Sequence, residues 1–93
     1  AGYTILDVRK PSEFDTEHIK GAINIQLSEI ENRLGELDAD KKYIIHCAAG
    51  YRSMMAASIL KSNGIENFMN VAGGWGSIKK TSLPTEVSVE EMI

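Results

Sequence analysis

The residues best suited to chemistry lie in one short stretch, Cys47-Ala48-Ala49-Gly50-Tyr51-Arg52-Ser53. It holds the only cysteine of the 93-residue chain, with an arginine and then a hydroxyl close behind it. The segment that follows reads as a helix, so a sulfur at Cys47 would face free N–H groups of the loop and first helical turn. It would also sit at the positive end of the helix dipole. Such surroundings lower a cysteine pKa from about 8.5 to roughly 3.5–7.5 and make the thiolate, the nucleophilic form, abundant at neutral pH. Ala48 and Ala49 keep the rim small, and Gly50 can take backbone angles closed to other residues. Arg52 brings a permanent guanidinium suited to an oxyanion. The stretch therefore has the makings of a nucleophile, Cys47, beneath a loop that holds an anion through Ala48, Ala49, Gly50, Tyr51, Arg52 and Ser53.

Each residue also has a plainer role. A cysteine at the end of an apolar strand can be a small buried hydrophobe, and Arg52 can be a surface arginine paired with an acid. His46 precedes the sulfur but alternates to the opposite face of the strand, so it reads as a packed or hydrogen-bonded histidine outside the site. His18 reads as structural too, and two histidines with one cysteine on separate elements give no zinc spacing. Asp7 and Arg9 read first as a structural charge pair. Trp75 is placed equally well in the core or at a pocket mouth.

The elements that must position these groups alternate short apolar runs with helical or turn-like segments, the pattern of an α/β sheet. Tyr3-Thr4-Ile5-Leu6-Asp7-Val8 is apolar at consecutive positions, as in a strand covered on both faces. Pro11 and Ser12 end it and open a helical turn with Glu13 and Phe14. Ala22-Ile23-Asn24-Ile25 is a second strand. Ser28 and Glu31 have the spacing of a capping box and predict a helix through Leu37, with Gly35 weakening its far end. Tyr43-Ile44-Ile45-His46 delivers Cys47 at its carboxyl end, where open α/β sheets bind ligands. The helical stripe Met55, Ala56, Ile59 and Leu60 follows, with Lys61 and Gly64 as end signals. Asn67 to Val71 forms a fourth strand and leads into Ala72-Gly73-Gly74-Trp75-Gly76. Thr81 to Ile93 reads as an ordered tail or as the start of a further segment.

Size and composition bound the function. Ninety-three residues, 43% hydrophobic and 25% charged, suit one domain with one modest core. No apolar run approaches the ~20 residues of a membrane span, and the first residues lack signal-peptide character. With one cysteine and no internal disulfide, the expected location is cytoplasmic. Net charge is −3 without a basic stripe, which argues against a nucleic-acid partner.

The loop from Cys47 to Ser53 resembles that of rhodanese-type sulfurtransferases, whose pattern is Cys-x-x-Gly-x-Arg followed by a small hydroxyl residue. Three other segments are similar to family signatures: Asp7-Val8-Arg9 with Glu13-Phe14, His18 to Ile25, and Val71 to Trp75. The likeness runs in order over roughly positions 3 to 85, more specific than a lone motif. It implies a rhodanese-like doubly wound α/β fold, a mainly parallel sheet with helices on both faces. A domain over 1–85 and a tail over 86–93 are expected. It also implies ping-pong transfer: Cys47 takes the outer sulfur of thiosulfate or a persulfide and passes it to cyanide, a thiol or a partner protein. No metal or organic cofactor is implied.

The chain departs from the family pattern in places. The usual strand and helix before the Asp-Val-Arg segment are missing, which suggests a trimmed or fused piece, and Val87 to Met92 loosely resembles that opening. Glu17 replaces a common glycine, and Trp75 follows the double glycine directly. Two other functions stay open. Cysteine phosphatases also use His-Cys and a phosphate-cradling loop, but place arginine six positions after cysteine, against five here. A catalytically idle regulatory or adaptor module is the other, and the intact loop argues against it.

Overall fold

A computed structural model of the chain describes residues 2–71, 73–78 and 85–86. Its elements, in chain order, are β1 (Tyr3–Asp7), α1 (Pro11–Thr16), β2 (His18–Ile19), β3 (Ile23–Asn24), β4 (Lys42–His46), α2 (Tyr51–Ser62), β5 (Phe68–Asn70), α3 (Gly74–Ile78) and β6 (Thr85–Glu86). Among the described residues, four strands form a parallel sheet in the order β3-β1-β4-β5, and β2 pairs antiparallel with β6. Register is set between the two central strands, where Leu6 lies beside Ile45 and Asp7 beside His46. Alternation then sends Leu6, Val8, Ile45 and Cys47 to one face and Ile5, Asp7, Ile44 and His46 to the other.

The first face carries the core. Leu6, Val8, Ile25, Ile30, Ile45, Ala56 and Leu60 are fully buried, bringing α2 onto the centre of the sheet. Burying each large aliphatic side chain contributes roughly 1.5–3 kcal/mol. This packing fixes α2 and therefore the loop before it. The helix ends as its sequence predicts: Gly64 takes φ +84°, the Gly64 N–H donates to the Lys61 carbonyl and the Ile65 N–H to the Leu60 carbonyl.

Two expectations change. The helix predicted from Ser28 to Leu37 is instead two 3-10 segments, Leu27–Glu29 and Glu31–Glu36, joined at Ile30. Gln26, not Ser28, precedes the first turn, and no side chain caps it. Leu27, Ile30, Leu34 and Leu37 all pack on the core, two of their three steps are the three-residue steps of a 3-10 turn and the four-residue step spans a kink at Arg33, so packing overrides the capping-box spacing. β1 was expected to be covered on both faces, but burial is complete only at its carboxyl end, where Leu6 and Asp7 lie. Tyr3 is exposed, and Ile5 lines an open apolar groove with Ile44 and Met69. Val87 to Met92, read as resembling an opening segment, lies outside the described residues. Among the described residues no helix is long and apolar enough to cross a membrane.

Candidate active site

β4 ends at His46, and the next residue, Cys47, lies on the core face at 1% exposure. The chain turns through Ala48 and Ala49 to Gly50, whose φ of +105° is strained for any residue with a side chain, and α2 begins at Tyr51. That turn folds the backbone over the sulfur. The Gly50 N–H donates to Cys47 Sγ at 3.0 Å and the Ser53 N–H at 3.3 Å. The Ser53 hydroxyl lies 3.5 Å from Sγ and 3.1 Å from the Gly50 carbonyl oxygen. The sulfur thus takes the position of a helix cap, occupied by a group that can carry full negative charge.

Burial pushes the Cys47 thiol up. The Ser53 hydroxyl and the N–H groups of Ser53, Gly50 and Ala49 together outweigh it, and the net shift is downward from the ordinary value. Each charge-assisted bond of this kind contributes on the order of 1.5–3 kcal/mol to the anion. The residues read as the loop therefore do converge on sulfur, but unequally. Gly50 and Ser53 touch it, and Ala48 is half-buried. Ala49 and Tyr51 are exposed on the rim.

Arg52 does not point its charge at the sulfur. Its guanidinium donates to both carboxylate oxygens of Glu13, at 2.7 and 3.1 Å, 39 residues away in sequence. Glu13 also accepts the Lys10 backbone N–H at 2.9 Å. The Arg52 hydrogen bonds, with smaller help from that N–H, overcome desolvation and lower the carboxyl to about 2. The pair is about one-third exposed on each side. Beside it opens a recess of about 190 Å³, lined by Val8, Lys10, Gln26, Leu27, Ser28 and Arg52. Val8, the residue after β1, lies beside Cys47, since its N–H donates to the His46 carbonyl at 3.0 Å.

Sequence reasoning placed Glu13 in a helical turn without assigning it to the site. A carboxylate at the third position of a helix has a local use as a cap, and nothing local announces a partner in another element. Gly73 and Gly74 were likewise unassigned. A Cβ on Gly74, whose φ is +56°, would run into the Cys47 carbonyl oxygen and the Ala48 backbone. This close approach lets the Trp75 N–H donate to the Cys47 carbonyl at 2.6 Å. The Trp75 ring then lies on the opposite face of the sheet, absent from the recess lining, with the Arg9 guanidinium 4.4 Å from its centroid and the His46 ring stacked at 5.8 Å. It braces the floor of the loop and does not form the pocket mouth.

The structural charge pair read at Asp7 and Arg9 is present and buried. Arg9 Nε and Nη2 donate to the Asp7 carboxylate at 2.9 and 2.7 Å, and Nη2 also reaches the Glu17 carbonyl. His46 is fully buried on that side, and desolvation pushes its pKa down, so it stays neutral. His18 is buried and stacks on Phe14 at 3.6 Å.

A family model described as Rhodanese-like domain matches residues 1–81. YqhL of Bacillus subtilis is 42% identical over 82 residues, covering 82% of this chain and 65% of that protein. PspE of Escherichia coli, named a thiosulfate sulfurtransferase, is 37% identical over 70 residues, covering 73% of this chain and 67% of its own length. The crystal structure of a rhodanese-related protein from Thermoplasma volcanium superposes with a TM-score of 0.85 at 38% identity, covering 92% of this chain and 85% of that one.

Proposed function

Because the chain belongs to the rhodanese-like domain family, we propose that it is a sulfurtransferase in which Cys47 carries sulfur as a persulfide. The observation that carries this reading is the focus of N–H groups and the Ser53 hydroxyl on Cys47 Sγ, which favours an anion at the sulfur. The Cys47 thiolate attacks the outer sulfur of thiosulfate. The sulfur–sulfur bond of the donor breaks, sulfite leaves with the electron pair, and Cys47-S-S⁻ remains. Cyanide, a thiol or a protein thiol then attacks the outer sulfur and returns the thiolate. In the cyanide case the product is thiocyanate. A low-molecular-weight persulfide serves as donor by the same displacement, with a thiolate as leaving group. The negative charge moves out by one sulfur atom in the intermediate, past the small side chains of Ala48 and Ala49 at the rim.

Phosphate chemistry fits less well. A phosphatase loop aims its arginine at the anion, whereas Arg52 is taken up by Glu13 and follows the cysteine by five positions. The decisive experiment is intact mass after thiosulfate treatment, then after cyanide. One added sulfur that cyanide removes, and that is missing in Cys47→Ser, is the expected result. An unmodified mass at saturating thiosulfate and persulfide would leave the domain as a non-catalytic module.

A further inference from the structure

The ion pair beside the recess bears on which donors the site accepts. Two cationic residues, Lys10 and Arg52, line that recess, and Arg52 is the one adjacent to the sulfur loop. Its two Nη groups are committed to one carboxylate, and the Glu13 carboxyl, lowered to about 2, stays ionised at any working pH. The charges of the pair therefore sum to zero at the recess, which adjoins the sulfur loop through Arg52 and the strand end of Cys47 through Val8. Resting on the reading that Cys47 takes up sulfur, we infer that Glu13 is a specificity-determining residue. By holding Arg52 in a closed pair it withholds positive charge from the recess, which disfavours the thiosulfate dianion relative to donors of lower charge.

The interaction of a fixed charge with a donor is linear in the donor's charge. Removing the Glu13 charge should therefore act twice as strongly, in logarithmic terms, on a dianion as on a monoanion. Thiosulfate and methanethiosulfonate form a suitable pair, since both present an outer sulfur to the thiolate and carry two and one negative charges. Glu13→Gln keeps one oxygen to accept the Lys10 N–H and one Arg52 N–H, because glutamine serves the same capping position; it removes the charge and, with it, the second acceptor of the Arg52 guanidinium.

The test is steady-state kinetics with cyanide as common acceptor, at low ionic strength, reading kcat/KM for each donor. Glu13→Gln should raise kcat/KM about tenfold for thiosulfate and about threefold for methanethiosulfonate, and added salt should shrink both gains. Arg52→Ala should lower thiosulfate kcat/KM, and Arg52→Ala/Glu13→Gln, with no net change of charge, should return to within about threefold of the unmodified protein. This double comparison also covers the case in which Glu13→Gln alone folds poorly. Equal factors for the two donors, or a loss with both in Glu13→Gln, would make Glu13 a structural brace and overturn the inference. If the unmodified protein fails with both donors, the sulfur-transfer reading itself falls, and this inference with it.

Discussion

Replacing Ser53 by alanine isolates one of the contacts that hold the sulfur anion. The hydroxyl lies 3.5 Å from Sγ, a long contact even for sulfur, so the lower end of the charge-assisted range applies, about 1.5 kcal/mol. At about 1.4 kcal/mol per pKa unit, the Cys47 pKa should rise by about one unit. With the thiol, Sγ donates to the Ser53 hydroxyl and the hydroxyl to the Gly50 carbonyl; with the thiolate the hydroxyl turns its one proton to Sγ, so removing it raises the pKa. The substitution is otherwise mild. The Gly50 carbonyl that Ser53 also touches still accepts the Met54 N–H, and the Gly50 and Ser53 backbone donors to sulfur are untouched. The assay is the pH dependence of the iodoacetamide alkylation rate of Cys47. Well below both pKa values the thiolate fraction falls about tenfold, while the more basic thiolate is about threefold more nucleophilic for a Brønsted coefficient of about 0.45. The observed rate should thus drop about threefold at low pH and rise about threefold on the high-pH plateau, so the two profiles cross. Profiles that superimpose would remove Ser53 from the anion site. A rise of several units would show that the hydroxyl, not the backbone, dominates.

Gly74→Ala should destabilise the domain by more than 1 kcal/mol, read as a lowered denaturation midpoint in urea, because its Cβ meets the Cys47 and Ala48 backbone at a positive φ; an unchanged midpoint would mean that α3 shifts freely away from the loop. Asp7→Ala leaves the buried Arg9 guanidinium without its carboxylate and should cost about 3–5 kcal/mol in the same assay, and a loss below 1 kcal/mol would show that the Glu17 carbonyl and Trp75 suffice to hold Arg9.

The placement of Cys47 and its loop was legible because their geometry is local. Gly50 supplies the left-handed angle and the α2 stripe supplies the helix. Within six residues of Cys47 the free N–H groups are then bound to face it. The same locality made the parallel strands readable as apolar runs and marked the stop of α2, which ends at Ser62 just before Gly64. The 3-10 segments were not readable in this way, since a capping-box spacing states only what the backbone prefers alone. The outcome was decided by where Leu27, Ile30, Leu34 and Leu37 meet the core.

By itself, then, the sequence determined that a single thiol stands at a strand end under a helix N-terminus. Three features near it were decided by the tertiary structure alone. Arg52 gives its charge to Glu13, Gly74 touches the Cys47 backbone, and Trp75 stacks behind the sheet on Arg9 and His46. Each depends on elements distant in the chain meeting at the carboxyl ends of β1 and β4. The strength of a charge or a contact depends on what the folded chain puts beside it, which residue type and spacing do not encode.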